Sequence, residues 1–533
     1  MNLSAALDAR VNAGPHRIAL HAEGRSLTRG QLRDAIVRAS ARLRGAWGVR
    51  KGNRVAYLGP NRSEELVLLF ALARIGAVFV PLNTRLAIPE LATIVAHAQL
   101  HALITDAEHR EIGSAALALA LSQSQSQSQP GAACAAMNRE IRAYAIDDLL
   151  EGDGATSTGD VREGIEALGF DMPLLLAYTS GTTGAPKGAL HTHRGMLANV
   201  SASIAVHEMS EDDRVLTVLP LFHVGGLCIQ TLPALLGGAE VILHPRFDAN
   251  AWLASIASMR PTLTLMVPAT LRAAIAHPAW PTTDLSCLRV IMAGSSTIPR
   301  ALIDAVHARD VPLGQIYGAT ETGPVSVALK AEDARRKPGF AGWPCFDQSV
   351  RLVDAAGVDV DVAVDIVVGA VGEILVRAPN LMMGYWRESN ADGFRDGWFA
   401  TGDLARRDRE GCIEVVGRSR DLIISGGENV YPAEIEDLLL AIEGVAEAAV
   451  VGVPDEHWGE VPAAFVVRAL DTSHAADPTV LDEASIAAAF DDKLARFKHP
   501  KRIVFIDRLP RNAMGKVQLN LLRERLLESE AKA

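Results

Sequence analysis

At 533 residues the chain is too long for one compact core and predicts about two to four domains. Hydrophobic residues make up 49% and charged residues 22%, the balance of an ordinary soluble globular protein. A formal net charge of −11 excludes a basic footprint for nucleic acid or an anionic membrane surface, so an anionic substrate has to be held by local donors.

Along the first 170 residues short apolar strands alternate with helices: a strand at 54–58, a helix with an apolar face at 63–74, another strand at 77–80. That order predicts parallel β-α-β units. The Ser-Gln repeat at 122–129 offers nothing to bury and predicts a disordered surface loop without a catalytic role. From 171 to about 338 the alternation resumes, with buried strands expected at 174–178, 215–218, 241–243, 263–267 and 290–292. Between 339 and 417 the runs at 350–353, 373–376 and 412–415 alternate more and are separated by Gly and Asp, which predicts an antiparallel, barrel-like subdomain. The charged stretch Arg418-Ser419-Arg420-Asp421 after Gly417 reads as a hinge. Residues 422–533 are the size of one small domain, with helices expected at 434–442 and 486–494 and strands at 448–451 and 463–467. The expected fold is therefore α/β: a large N-terminal domain (1–417) of parallel-type α/β subdomains plus a barrel-like one, then a mobile C-terminal α+β lid.

The five cysteines, Cys134, Cys228, Cys287, Cys345 and Cys412, stand singly, without metal-ligand spacing, and their odd number argues against a disulfide framework. No apolar run reaches the roughly 18 residues of a transmembrane segment. The N-terminal residues lack a charged-then-apolar leader pattern and the C-terminal ones a peroxisomal address, so a cytoplasmic location is expected.

One segment carries unusual chemistry: Tyr178-Thr179-Ser180-Gly181-Thr182-Thr183-Gly184-Ala185-Pro186-Lys187-Gly188. Three glycines let the backbone turn several N–H groups toward one anion, and the hydroxyls and the ammonium complete the cage. The spacing is not that of a Walker loop, where Lys follows Gly and precedes Ser or Thr. Further along come Leu219-Pro220-Leu221-Phe222-His223, Gln315-Ile316-Tyr317-Gly318-Ala319-Thr320-Glu321, Thr401-Gly402-Asp403 and Gly417-Arg418. Ser425-Gly426-Gly427-Glu428-Asn429-Val430-Tyr431-Pro432 and Pro510-Arg511-Asn512-Ala513-Met514-Gly515-Lys516 close the series.

With these motifs in this order over nearly its whole length, the chain resembles the adenylate-forming superfamily of acyl-CoA synthetases, adenylation domains and beetle luciferases. The resemblance implies an ATP-dependent acid–thiol ligase: a carboxylic acid attacks ATP, pyrophosphate leaves, and the acyl-AMP passes its acyl group to coenzyme A. Such a reaction is limited by charge crowding, so positioning and electrostatic stabilisation matter more than proton transfer.

Roles implied by the resemblance follow position by position. Thr182, Thr183 and Lys187 hold the β- and γ-phosphates, Thr179, Ser180, Gly181 and Gly184 complete the ATP-binding loop, and Thr320 touches the α-phosphate. Glu321 is the Mg2+ ligand, a hard oxygen donor suited to an ion bridging phosphates. Tyr317 stacks on adenine, Gly294, Ser295, Ser296 and Thr297 line its other side, and Gln315 and Gly318 complete the nucleotide site. Asp403 accepts both ribose hydroxyls, although by itself an Asp after Gly is commonly a turn residue. Arg418 adds a ribose or phosphate contact. Lys516 bridges the attacking carboxylate and the α-phosphate, and His223 orients the carboxylate or gates the thiol.

Rotation about Arg420, where many relatives have Lys or Asp, would withdraw Lys516 and bring the pantetheine-binding Gly426 and Gly427 to the adenylate. Lys516 also lies in a context that similar bacterial ligases present to lysine acetyltransferases. For the acid, Val224, Gly225, Gly226, Cys228, Met266, Val267, Gly294, Gly318, Gly323, Pro324 and Val325 suggest an apolar, fairly open pocket. No Lys or Arg falls within these segments to pair a second carboxylate, although Arg272 lies near. A medium- or long-chain fatty acid or an aryl or alicyclic monocarboxylic acid is expected, ahead of malonate. An adenylation enzyme loading a carrier protein is a further alternative, disfavoured because His223 stands where such domains usually have Asp.

Overall fold

A computed structural model describes residues 2–126, 141–151, 169–180, 186–360, 370–388, 393–426, 428–455, 457–469, 481–490, 493–512 and 516–530. Two large sheets dominate. In the first, nine strands run in the order Trp343–Pro344, Val327–Leu329, Leu313–Tyr317, Val290–Gly294, Leu263–Met266, Arg214–Thr217, Glu240–Leu243, Ile18–Ala22, Arg25–Thr28. In the second, seven strands run Gly384–Tyr385, Pro186–Thr192, Pro173–Ser180, Val78–Leu82, Arg54–Leu58, Ala102–Thr105, Arg142–Ala145. The inner strands of both pair in parallel, as crossover helices require.

The sheets exchange strands across residue 170, where the change of pattern had suggested a division. Residues 18–28 extend the nine-stranded sheet, and the hairpin of Pro173–Ser180 with Pro186–Thr192 joins the seven-stranded one. Alternation in sequence fixes the order of elements but says nothing about which sheet a strand enters.

Helix Ser63–Ile75 lies in the apolar cluster shared by the two sheets, and every residue from Glu65 to Ile75 is buried. It is apolar all round rather than on one face, as a helix covered from every side must be. Its single buried acid, Glu65, has a pKa raised well above the carboxylate range by that burial.

The third sheet, made by Ser349–Val353, Gly372–Arg377, Trp398–Arg407, Phe394–Arg395 and Ile413–Arg418, is antiparallel and open among the described residues. Its longest strand, Trp398–Arg407, carries Asp403 near its middle, and its last ends at Arg418. A fourth sheet forms the separate C-terminal domain: strands Ile423–Ser425, Glu428–Val430, Val445–Asp455, Gly459–Arg468 and Arg502–Phe505. Helices Pro432–Leu440 and Glu483–Ala488 belong to one apolar cluster of this domain, and helix Leu519–Glu530 to another.

Two local expectations need correcting. Ser122–Ser126 is not loop but the last part of helix Arg110–Ser126, while the rest of the repeat lies outside the described residues. The apolar run before it nucleates the helix, and extending a helix costs far less than starting one. The helix expected at 486–494 starts earlier, at Glu483, because Asp482 and Ser485 form a capping box, and it ends at Ala488. No helix among the described residues is long and apolar enough to cross a membrane.

Candidate active site

The site lies at the carboxyl ends of the parallel strands, where open α/β sheets leave a crevice. Strands Val290–Gly294 and Leu313–Tyr317 are neighbours, with Gly294 opposite Ile316. Their ends deliver two loops to one place, Ser295–Thr297 and Gly318–Glu321. Ser295 adopts φ 75°, a left-handed conformation that is uncommon for a non-glycine residue. The turn after Gly318 is pinned by Thr322, whose Oγ1 accepts the Ala319 N–H at 2.9 Å and a hydrogen bond from Ser326 Oγ, also at 2.9 Å. Thr320 and Glu321 are thereby held half-buried at the rim.

Asp403 is engaged through both oxygens. Tyr317 Oη donates to Oδ2 at 2.9 Å, and Arg418 Nε lies 2.9 Å from Oδ1. Each carboxylate oxygen has a second lone-pair direction, so acceptor capacity remains for a vicinal diol. Burial foremost, then the Asp403 charge, pushes the Tyr317 phenol far above its usual range, so it stays a neutral donor. The ring expected against adenine is thus anchored at its far end by Asp403.

His223 caps the short helical turn Val224–Gly226, its Nδ1 accepting the Gly225 N–H at 3.0 Å. That contact assigns the ring proton to Nε2. Burial, then the nearby Lys516 ammonium, pushes its pKa down to about 4. Lys516 as a whole keeps solvent contact, but protein atoms crowd its ammonium. That desolvation, followed by the Arg418 charge, lowers its pKa, while Asp403 and Glu321 act in the opposite direction. A C-terminal lysine is therefore within electrostatic reach of His223, Glu321, Asp403 and Arg418, four residues of the N-terminal part.

The phosphate-loop hairpin pairs Thr179 with Lys187 and Ser180 with Pro186. Gly181, Thr182, Thr183 and Gly184 lie outside the described residues, as does Gly427. Lys187 Nζ sits 2.9 Å from Glu388 Oε2 and 4.9 Å from the centroid of the Tyr385 ring. Tyr385 Oη in turn donates to Glu321 Oε1 at 2.8 Å. Strand Gly384–Tyr385 pairs with Pro186–Thr192, which brings this segment between the loop lysine and the rim acid. Neither Tyr385 nor Glu388 was expected from the sequence. The only signal available was their clustering with Gly384 and Trp386, which has no spacing that names a chemistry.

Arg420 is exposed on the single turn Ser419–Asp421, its Nε 3.7 Å from Asp421. Gly426, at φ 60°, donates its N–H to the Trp458 carbonyl, and a Cβ there would meet the indole ring at 2.6 Å. Arg272 donates to the Ala446 carbonyl at 2.7 Å and lies 4.0 Å from Glu447, so its guanidinium faces the C-terminal domain.

The expected acyl-pocket residues divide. Val224, Gly225 and Gly226 follow His223 directly, and partly buried Val267 packs at the end of strand Leu263–Met266. Cys228, Met266 and Val325 are fully buried in the apolar clusters. Several of the glycines serve backbone packing rather than openness: an added Cβ would lie 2.2 Å from the Pro220 carbonyl at Gly226 and 2.5 Å from Ile316 O at Gly294. At Gly318 it would meet Pro324 O at 2.2 Å, and Gly323 combines φ 73° with Asn380 O at 2.4 Å.

Comparison with known proteins agrees with this architecture. The family model described as AMP-binding enzyme matches residues 7–386, and that of the AMP-binding enzyme C-terminal domain matches residues 434–516. An indoleacetate–CoA ligase from Aromatoleum aromaticum is 43% identical, covering 98% of this chain and 98% of the relative. A feruloyl-CoA synthase from Amycolatopsis is 39% identical, over 97% of each chain. A long-chain-fatty-acid–CoA ligase from Mycobacterium tuberculosis is 35% identical, over 92% of each. Among solved structures, the o-succinylbenzoate CoA synthetase of Bacillus subtilis, in complex with its acyl-adenylate, superimposes with a TM-score of 0.82 at 31% identity, over 97% of each chain. The chain belongs to the adenylate-forming superfamily of AMP-binding enzymes and is an AMP-forming acyl-CoA synthetase.

Proposed function

We propose that the protein activates an aryl or arylalkyl monocarboxylic acid with ATP and transfers it to coenzyme A, with the residues gathered above dividing the work. The observation that carries this reading is Lys516, brought from the C-terminal domain to within electrostatic reach of His223, Glu321, Asp403 and Arg418. An ammonium there offsets the charge that accumulates as a carboxylate approaches the α-phosphate. Asp403, braced by Tyr317 and Arg418, takes the ribose hydroxyls. Neutral His223 presents Nε2–H to one carboxylate oxygen, leaving the other free to attack. Lys187 and the loop hydroxyls retain pyrophosphate charge as it departs.

The donor set also fits Mg2+. Glu321 keeps a carboxylate oxygen besides the one bound to Tyr385, and Mg2+ is commonly held by one or two carboxylates with waters and phosphate oxygens. When bound it would neutralise phosphate charge at Glu321.

Preference for an aryl monocarboxylic acid draws on the relatives at 43% and 39% identity and on Arg272, whose engagement with Ala446 and Glu447 turns it away from a second substrate carboxylate. Acid-dependent ATP–pyrophosphate exchange over a panel of aryl, fatty and dicarboxylic acids, followed by CoA addition, tests it. Exchange confined to aryl acids, a loss on the order of 10²-fold or more in Lys516→Ala, and thioester formed only with CoA are expected. Preferential exchange with malonate or with fatty acids would overturn the substrate assignment.

A further inference from the structure

Strand Val445–Asp455 begins with a bulge. Val445 lies opposite Arg468 and Glu447 opposite Val467, so Ala446 is an extra residue without a register partner. Bulges bend a strand, re-aim its side chains and are frequent beside active sites. Here the Ala446 carbonyl accepts a hydrogen bond from Arg272 Nη1 at 2.7 Å, and Glu447 Oε1 lies 4.0 Å from the same nitrogen. Arg272 belongs to helix Pro268–Ile275 of the N-terminal domain. The bulge thus turns one carbonyl and one carboxylate of the C-terminal domain toward a single guanidinium across the domain boundary.

The other oxygen of Glu447 serves the segment that carries Lys516. Arg511 Nη2 lies 2.9 Å from Glu447 Oε2. Arg511 in turn bridges to Val517, the Asn512 N–H donates to the Lys516 carbonyl at 2.8 Å, and the Lys516 N–H donates to Asn512 Oδ1 at 3.0 Å. The backbones of Arg511 and Lys516 are therefore locked together. Two guanidiniums drawn to one carboxylate would repel each other without it, so the acid turns repulsion into a bridge. Glu447 joins the N-terminal domain to the backbone of Lys516.

We infer that Glu447 is a positioning residue for the first half-reaction: with Arg272 and Arg511 it holds Lys516 at the nucleotide site while the acid is adenylated, and it releases Arg272 when the C-terminal domain turns for thioester formation. The inference rests on the ligase reading above and on the part Lys516 plays in it. The three side chains are 29–39% exposed, so their contacts add little to overall stability. A tie of that strength biases a balanced equilibrium between two domain arrangements without locking either.

The test separates the half-reactions in wild type, Glu447→Gln, Arg272→Gln and the double variant. Adenylation is read as ATP–pyrophosphate exchange with whichever acid of the panel above exchanges fastest. Thioester formation is read in a single turnover from the corresponding preformed acyl-AMP and CoA. The ratio of the two rates is taken on one preparation, so partial misfolding cancels. Arg272→Gln reads the tie from the other domain if Glu447→Gln does not fold. In each single variant exchange should fall about two- to fivefold, the range of a partly exposed ion pair, with thioester formation unchanged or faster. The double variant should lose less than the product of the two single effects, because both changes break one tie. A ratio that falls by less than twofold in either single variant, as a merely structural role would give, overturns the inference, and so does a fully multiplicative double variant. Absence of exchange with every acid in wild type would instead sink the ligase reading itself.

Discussion

Replacing Tyr385 by phenylalanine isolates one interaction at Glu321, the proposed Mg2+ ligand. The hydroxyl donates to Glu321 Oε1 at 2.8 Å, whereas the ring stays beneath Lys187 Nζ, 4.9 Å from its centroid, in either side chain. A hydrogen bond to a charged acceptor contributes about 1.5–3 kcal/mol. Both residues are half-buried, so water partly replaces the lost donor and the lower end, about 1.5 kcal/mol, applies. That is roughly a tenfold fall in kcat/KM for ATP. Because the hydroxyl orients Glu321, the Mg2+ concentration for half-maximal exchange should rise in parallel. The assay is pyrophosphate exchange at several Mg2+ concentrations, with a thermal melt on the same sample. An unchanged exchange rate and Mg2+ dependence would show that Tyr385 does not position Glu321. A loss matched by a collapse of the melting temperature would show that its role is structural.

Glu388→Gln should lower the KM for ATP about two- to fivefold, since a partly exposed ion pair with Lys187 contributes at most about 1 kcal/mol and competes with the triphosphate. A rise in that KM would refute the competition. On the pH axis, the role proposed for Lys516 requires its charge, and its pKa is lowered, so exchange should decline with rising pH before an ordinary lysine, at about 10.4, would titrate. His223, neutral above about 4, should contribute no limb near pH 6.5. An acidic limb there that vanishes in a His223 variant would contradict its placement.

The motifs of the candidate site are legible because each is a short contiguous string whose residue types match one task. Glycines and hydroxyls suited to an anion collect at 178–188, and an acid follows a turn at 318–321. What is not legible comes from tertiary pairing. Glu388 reaches Lys187 from two hundred residues away because Gly384–Tyr385 pairs with the phosphate-loop strand, and no local pattern encodes that register. In the fold, the alternation of strands and helices foretells α/β layers, yet the exchange of strands 18–28 and 173–192 between sheets depends on contacts the alternation does not contain. The Ser-Gln segment misleads in the other direction, since composition ignores the helix already running into it.

The cap that His223 makes on Gly225 has a consequence for the proton inventory of the second half-reaction. With Nδ1 occupied by the Gly225 N–H and Nε2 carrying the only ring proton, the imidazole has no vacant nitrogen to receive the proton of an incoming thiol. Its pKa near 4 makes it a poor base even if the cap breaks. The thiol would then shed its proton to solvent or to a group other than His223. On this geometry the imidazole is a fixed donor and not a proton shuttle.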